Sequence, residues 1–313
     1  MSPSLAMTET EVQIIHQSVG LVDRSERGKL ALTGAEAREF LHGQVSNDVE
    51  SLEAGRGCYA AFLTHKGKML GDLRILDLGD ELFLDTERVA LQELFNMIRR
   101  YKLGRDVELH KRTLERALLS LIGPGAREAA GARDLGGAEH DNAAGEIGGV
   151  PVRLVATDVG VDVICDAERA ADVKAALAVP EVSEAAAEVV RVERGRPRYG
   201  VDLDESVIPQ EAGLNDRAVS FTKGCYVGQE TVARLFYRGK PNRHLRGLRL
   251  SEPVARGEPL RLGDREVGRV GSSVVSAVHG PIALAIVRRE AGVGDTVAVG
   301  DGGATATVAE LPF

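Results

Sequence analysis

The octapeptide KGCYVGQE, at residues 223–230, concentrates groups that can do chemistry in one short segment. A thiol beside a lysine, or at the amino terminus of a helix, has a lowered pKa, and the resulting thiolate is a nucleophile and a redox group. If the following residues VGQETVARLF open a helix, Cys225 lies at its positive end. The pattern predicts a reactive Cys225 activated by Lys223, with a small buried apolar thiol as the alternative.

A weaker echo of this segment, RGCY, occurs at residues 56–59 and contains Cys58. Chance repetition in a glycine-rich chain is the default explanation, and the alternative is that Cys58 and Cys225 face each other across an opening. Cys165 alternates with apolar residues in VDVICD, which is typical of a buried strand. Three widely spaced cysteines without a CxxC pair predict neither a disulfide framework nor a zinc site, and they favour a reducing cytoplasm.

Glu193 ends a predicted helix, SEAAAEVVRVERG, that Ser183 would cap and Gly195 would stop. Helical spacing places Glu193 on the same face as Val189 and Val190. A carboxylate at the end of an apolar stripe needs a polar partner, which makes Glu193 a candidate binding residue. An exposed glutamate at a helix end is the alternative.

The net charge of −8 argues against a general nucleic-acid-binding protein, because such binding depends on many lysine and arginine contacts to phosphates. One basic segment without an acidic residue nevertheless lies between Thr231 and Ser251. It is either a solvated face or an anion site for carboxylates, phosphates or an acidic partner. Its cations are Arg234, Arg238, Lys240, Arg243, Arg246 and Arg249.

The chain shows no sign of export or of membrane insertion. Its first 17 residues are polar, without the basic and apolar regions of a signal peptide, and the longest apolar run near the end, IALAIV, is far too short to span a membrane. The seven histidines show no metal-ligand spacing. We therefore predict a cytoplasmic protein without a bound metal or a membrane contact.

Local patterns predict a mixed α+β chain of 313 residues with about two or three domains. GKLALTG reads as a strand followed by a helix that Thr33 would cap, residues 57–86 as three short strands, and 87–103 as an amphipathic helix. The Ala/Gly-rich stretch 123–149 predicts one short helix and a loop. Beyond residue 241, short strands separated by Gly, Pro and Asp predict a small all-β module.

These motifs together resemble the YgfZ-type folate-binding proteins, relatives of the glycine-cleavage aminomethyltransferase (T-protein) that act in iron–sulfur cluster assembly or repair. KGCYVGQE followed by ARLFYRGKPNRHLRGL carries the resemblance most specifically. The segments LVDRSERGKLALTGAEAREFLHGQVSNDV, YAAFLTHKGKMLGDLRI, VERGRPRYGVDLDESVIPQEAGL and VGRVGSSVVSAVHGPIALAIVR extend it over most of the chain. The likeness is patchy between residues 110 and 185.

The resemblance implies an α+β fold with T-protein-like folate-binding domains around a central opening and a C-terminal all-β barrel. It predicts an N-terminal folate-binding lobe at 1–110, a second lobe with both motifs at 111–240, and the barrel at 241–313. The implied cofactor is tetrahydrofolate or another reduced folate. The implied partners are iron–sulfur assembly or client proteins.

The resemblance also assigns roles to individual residues. Glu193, with Arg191, matches an R-x-E-x-G run whose glutamate pairs with the pterin ring, and a carboxylate can accept two parallel hydrogen bonds from that ring. Tyr59 matches a tyrosine that lines the folate slot. Lys223 and Arg234 match positions linked to folate binding, where cations suit the glutamate tail.

Two departures bear on the reaction. T-proteins carry adjacent aspartates in a turn where this chain has Gly71 and Asp72, and an asparagine on the next strand appears here as Asp85. Both changes argue against glycine-cleavage activity, so we predict an accessory factor with Cys225 and Asp72 as its reactive groups. The alternatives are a folate-dependent aminomethyltransferase or demethylase, in which Asp72 holds the amine charge, and an RNA- or protein-binding module that uses residues 234–249.

Overall fold

A computed structural model describes residues 3–313, with side chains described from residue 7 onward. The chain divides into two compact units. The first comprises the chain up to Leu63 together with Leu70–Ala187 and Arg217–Val227. The second comprises Thr64–Met69, Glu188–Asp216 and Gly228–Phe313. Within the described residues, no helix is long and apolar enough to cross a membrane.

The described part of the first unit contains ten strands arranged in two five-stranded sheets. These strands are β1 (Gly20–Asp23), β2 (Gly28–Thr33), β3 (Gly57–Leu63), β4 (Met69–Asp77), β5 (Leu82–Thr86), β6 (Glu108–Lys111), β7 (Arg116–Ile122), β8 (Asn142–Ile147), β9 (Val150–Ala156) and β10 (Gly160–Asp166). One sheet has the order β3-β4-β5-β2-β6 and the other the order β1-β7-β10-β9-β8. Because β1 joins the sheet of later strands, the second sheet is not built from one continuous stretch of chain.

The two sheets of the first unit share a buried apolar contact. Leu76 and Phe83 come from the first sheet, and they cluster with Leu118, Val155 and Ile164 from the second. Apolar residues at every second position of a strand lie on one face, which is why these residues can meet. The contact holds strands β4, β5, β7, β9 and β10 together. Asp72, Arg74, Asp85 and Asp162, which are described below, lie on β4, β5 and β10.

Among the residues that the structure describes, eight α-helices accompany the strands. They are α1 (Pro3–Gln17), α2 (Ala37–His42), α3 (Leu91–Tyr101), α4 (Ala126–Ala129), α5 (Ala170–Leu177), α6 (Glu184–Glu193), α7 (Asn215–Ala218) and α8 (Gln229–Arg238). Short 3-10 turns at Arg88–Ala90 and Ala167–Arg169 precede α3 and α5. The helices predicted from apolar spacing at 87–103 and from capping signals at 183–195 are both confirmed.

The second unit is dominated by a closed six-stranded barrel. Its strands are β11 (Arg243–Leu250), β12 (Pro259–Leu262), β13 (Arg265–Ser276), β14 (Gly280–Arg288), β15 (Thr296–Val299) and β16 (Ala304–Ala309). They follow the order β11-β14-β13-β12-β15-β16, and β16 pairs back to β11. Leu248, Leu260, Val270 and Ala285 belong to its apolar core. The predicted C-terminal all-β barrel and the α+β fold class are therefore confirmed.

Two local predictions are wrong. Thr33 does not cap α2, because its hydroxyl forms a 2.8 Å hydrogen bond with Nε2 of His110 and Glu36 occupies the N-cap position. The Ala/Gly-rich stretch contains not only α4 but also strand β8. Small residues hide the strand pattern of β8, and its pairing with β9 comes from tertiary context.

Candidate functional site

Tyr59 and Asp72 form a hydrogen-bonded pair on strands β3 and β4 of the first unit. The Tyr59 hydroxyl donates to Oδ2 of Asp72 at 2.6 Å. Burial raises the pKa of Asp72 to about 6, although the Tyr59 hydrogen bond acts in the opposite direction. Burial and the Asp72 charge raise the pKa of Tyr59 well above its usual value, so its proton stays on the phenol. Asp72 is therefore a carboxyl group that titrates near pH 6.

A second carboxylate nearby, Asp85 on β5, has the opposite electrostatic environment. Arg27 contacts it at 2.8 Å and Arg74 at 2.9 Å. Burial would raise the pKa of Asp85, but the two guanidinium groups outweigh burial and lower it. Arg74 also contacts Asp162 on β10 at 2.6 Å, which links the two sheets. Asp85 thus stays ionised at an acidic pH at which Asp72 is protonated, and environments that separate two carboxyl pKa values are typical of acid–base sites.

Arg217 and His140 complete this side of the first unit, and neither was identified from the sequence. The Arg217 guanidinium lies 5.0 Å from the centre of the Tyr59 ring and is held by Glu139 at 2.8 Å. His140 has a φ of 75°, a strained conformation for a residue other than glycine. Burial, reinforced by Arg74 and Arg217, lowers the pKa of His140 to about 3, so its imidazole is neutral.

These groups line one cleft of about 210 Å³ within the first unit. Asp72, Asp85, Asp162, Tyr59, Arg217 and His140 are among its lining residues. The cleft combines a titratable carboxyl, a locked carboxylate, a neutral imidazole and guanidinium groups. Such a set can bind a small polar molecule and exchange a proton with it.

The pKa of Asp72 leads to a prediction about stability. The pKa in the unfolded chain is about 3.9, so the folded-state value is raised and stability should fall as pH rises from about 4 through 6. Asp72→Asn removes the buried charge and should be about 1–2 kcal/mol more stable than the parent at pH 7.5, yet equal at pH 4. Urea unfolding at both pH values measures the difference in stability. Equal stabilities at pH 7.5 would show that the folded-state pKa of Asp72 is not raised.

Lys223 lies in the signature loop, and its ammonium group is fully engaged. Nζ donates hydrogen bonds to the backbone oxygens of His42, of Val45 at 2.7 Å and of Asn47 at 3.1 Å. Three donors are the full capacity of an ammonium group. Burial lowers the pKa of Lys223 to about 8. In this structure Lys223 fastens the signature loop to residues 42–47, and a ligand carboxylate would have to displace one of these bonds.

The three free thiols differ strongly in exposure. Cys225 is exposed, Cys58 is half-buried and Cys165 is buried. Burial raises the pKa of Cys58 to about 12, even though Lys223 is close enough to lower it, and burial raises that of Cys165 to about 11. Helix α8 begins at Gln229, two residues after the start that the sequence suggested, so Cys225 precedes its first turn. Exposure therefore distinguishes Cys225 from the other two cysteines more clearly than the Lys223 charge and the helix amino terminus, which the sequence suggested.

We expect limiting iodoacetamide at neutral pH to modify Cys225 first, Cys58 second and Cys165 last. The reagent needs an accessible thiolate, and Cys58 and Cys165 have raised pKa values. Peptide mapping after alkylation gives the order. Modification of Cys165 before Cys225 would mean that the cysteine of KGCYVGQE is a packing residue without redox function.

Glu193 is the last residue of α6, in the second unit. Its Oε1 accepts a 2.6 Å hydrogen bond from the Ser276 hydroxyl. Ser276 Oγ itself accepts the backbone N–H groups of Val278 at 3.1 Å and His279 at 3.0 Å, so its single proton is directed to Glu193. A carboxylate at a helix C-terminus opposes the helix dipole. A side chain held so firmly in an unfavourable position is a candidate for binding.

The structure explains the roles of the other two defined residues of the R-x-E-x-G run, Arg191 and Gly195. Gly195 has a φ of 66° and ends the helix turn, as the sequence predicted. The Arg191 guanidinium uses all five N–H groups on Glu188, Arg196, Asp202 and Ser272. Arg191 therefore has no N–H left for a ligand in this structure, and its position favours a role in holding the helix end that carries Glu193.

Arg234 is exposed on α8. Two other arginines of the basic segment have partners in the structure. Arg243 is bound by Glu211 through 2.9 and 2.8 Å hydrogen bonds, and Arg249 lies over the Phe313 ring at 5.6 Å. No group of three or more acidic, histidine or cysteine side chains that could hold a metal ion occurs among the side chains described.

Two family descriptions match this chain. The GCVT N-terminal domain matches residues 2–223, and the glycine cleavage T-protein C-terminal barrel domain matches residues 243–313. The chain therefore belongs to the glycine-cleavage T-protein family. The match to the barrel description agrees with the closed barrel of β11–β16.

Two individual proteins illustrate the likeness. The chloroplastic protein of Arabidopsis thaliana named Putative transferase At1g60990 is 28% identical over 310 residues, covering 94% of this chain and 71% of that protein. The crystal structure of glycine cleavage system aminomethyltransferase T from Bartonella henselae has a TM-score of 0.87 at 23% identity, covering 97% of this chain and 89% of that chain. The second comparison shows that the fold is shared.

Proposed function

We propose that this protein binds tetrahydrofolate or another reduced folate and assists iron–sulfur cluster assembly or repair. The observation that supports the proposal best is the Glu193 carboxylate, held by the Ser276 hydroxyl at 2.6 Å. Glu193 also occupies the position that pairs with a pterin ring in the related proteins. The KGCYVGQE segment, with its exposed Cys225, favours the YgfZ-type role within the family.

Glu193 has the chemistry that a pterin needs. A carboxylate offers about four lone-pair positions, and the Ser276 hydroxyl donates to one of its oxygens. A carboxylate can accept the pterin 2-amino group and N3–H in parallel, which is a strong, charge-assisted arrangement. Ser276 would then set the angle of the carboxylate, and Arg191 would set the position of the helix end.

The two cations that the family resemblance assigns to folate, Arg234 and Lys223, have different surroundings in the structure. Arg234 is exposed and suits a carboxylate of the p-aminobenzoyl-glutamate portion. Lys223 already serves three carbonyl groups, so we propose that it contributes by holding the signature loop. The family resemblance also assigns Tyr59 to folate, and the Arg217 guanidinium lies 5.0 Å from the centre of its ring.

The glycine-cleavage reaction is the less favoured alternative. A side chain at position 71 would meet the Phe62 ring at 2.5 Å and the Ala90 Cβ at 2.7 Å, so the first aspartate of the T-protein turn does not fit here. Asp85 is locked by two arginines. Asp72 remains as a titratable carboxyl, which would suit another folate-dependent transfer or demethylation. A glycine-dependent assay with the lipoyl carrier protein separates the accessory factor from the glycine-cleavage enzyme. Turnover at about 1–1000 per second would favour the glycine-cleavage enzyme.

A genetic complementation experiment tests the cluster-related role. Cells without this protein should lose activity in cluster-dependent enzymes, such as those that modify tRNA, during aerobic growth. The parent gene should restore that activity, whereas Cys225→Ser and Glu193→Ala should restore it poorly although both variants fold. Full restoration by both variants would contradict the proposal.

A further inference from the structure

We propose that the exposed end of α8 is a docking surface for an acidic segment of a partner protein. We define the α8 surface as Arg234, Phe236, Tyr237, Arg238 and Lys240. The proposal goes beyond folate binding and depends on different observations: the exposure of two aromatic rings and the distribution of charge along the basic segment.

The two aromatic side chains are unusually accessible. Phe236 is 45% exposed and Tyr237 is 66% exposed. Their rings contact each other edge to face, with centres 5.0 Å apart. Burying such rings against another molecule is favourable because it removes apolar surface from water. Tyrosine and arginine are among the residue types that contribute most binding energy at protein interfaces, and both occur side by side here.

The charges of the basic segment divide at residue 240. After it, Arg243 is bound by Glu211, Arg246 lies 3.9 Å from Glu310 and Arg249 lies over the Phe313 ring. Before it, Arg234, Arg238 and Lys240 are exposed, and no ion pair to another described residue holds them. A cation at a helix C-terminus is favourable by itself, which accounts for Arg238 alone. The remaining positive charge is therefore concentrated beside the two rings.

The chemistry of this surface favours an acidic peptide over a nucleic acid. The chain carries a net charge of −8, so a polyanion longer than the surface is repelled by the rest of the protein. Three cations would neutralise about three phosphates, which gives weak binding at physiological salt. The edge-to-face rings offer no parallel platform for successive bases. A short segment with Asp or Glu beside one apolar residue fits both features.

Fluorescence anisotropy with a labelled twelve-residue peptide of alternating Glu and Leu tests the proposal on the full chain. We expect saturable binding that salt weakens. The double variant Arg238→Glu/Lys240→Glu should weaken it at least about tenfold, and Tyr237→Ala by about three- to tenfold. The matched control Arg265→Glu/Arg269→Glu makes the same charge change on exposed barrel arginines and should leave it unchanged.

The outcomes are separable from those for folate. Arg234 is left intact in every variant, so tetrahydrofolate affinity and melting temperature should match the parent. Equal peptide binding by the α8 and control double variants would overturn the proposal. So would tighter binding of a twelve-nucleotide oligouridylate than of the peptide, because the surface would then be a nucleic-acid site.

Discussion

Asp85→Asn should lower the free energy of unfolding by about 3–5 kcal/mol, because it removes the shared partner of the buried Arg74 and the half-buried Arg27. Asp85 is 2% exposed, so bulk solvent screens the two guanidinium charges only weakly. Arg27 keeps Glu87 and Arg74 keeps Asp162, yet each guanidinium loses its bridging carboxylate. Urea unfolding at pH 7 measures the change.

A matched control and a pH series sharpen this result. Asp166→Asn makes the same substitution in an exposed ion pair with Arg116 and should cost about 0–1 kcal/mol. The folded-state pKa of Asp85 is lowered, so its contribution is present above about pH 4 and disappears as pH falls through the folded-state value. The difference between Asp85→Asn and the parent should therefore shrink in acid. A loss as small as that of the control would mean that the network does not depend on Asp85.

Glu193→Gln should weaken tetrahydrofolate binding by about 1.5–3 kcal/mol, or about 10- to 150-fold in Kd. The amide keeps the size of the side chain but offers one acceptor where the pterin needs two. Glu193 is only partly buried, so the fold should survive, and an unchanged melting temperature would verify this. Calorimetric titration gives both affinities.

Ser276→Ala separates positioning from binding. It removes the hydroxyl that donates to Glu193 and leaves the carboxylate itself in place. We expect a smaller loss of affinity than for Glu193→Gln, because the carboxylate can still bind but is no longer held at one angle. A loss equal to that of Glu193→Gln would mean that Ser276 contacts the ligand directly.

Local patterns in the sequence predicted much of the fold. The apolar spacing from Leu91 to Ile98 identified α3, and Ser183 with Gly195 identified both ends of α6. These signals depend on residues that are close together in the sequence, so they can be read without knowing the tertiary contacts of the chain. The change of composition near residue 241 located the barrel for the same reason.

The candidate site was predicted less completely, because it depends on partners far away in the sequence. Lys223 was expected to act on Cys225, two residues away, but its ammonium group serves carbonyl groups about 180 residues earlier in the chain. Arg217 meets Tyr59, and His140 came from an Ala/Gly-rich stretch without an apparent motif. The strained φ of His140 and the five bonds of Arg191 are tertiary properties that residue type and spacing do not encode.

Titration of the parent protein with tetrahydrofolate, beside p-aminobenzoyl-glutamate, tests the central claim most directly. The first compound carries the pterin that Glu193 would recognise, and the second carries only the tail. The account predicts saturable binding of tetrahydrofolate at one site and binding of the tail compound at least about tenfold weaker. Absence of tetrahydrofolate binding by the folded protein, or equal affinity for both compounds, would contradict it.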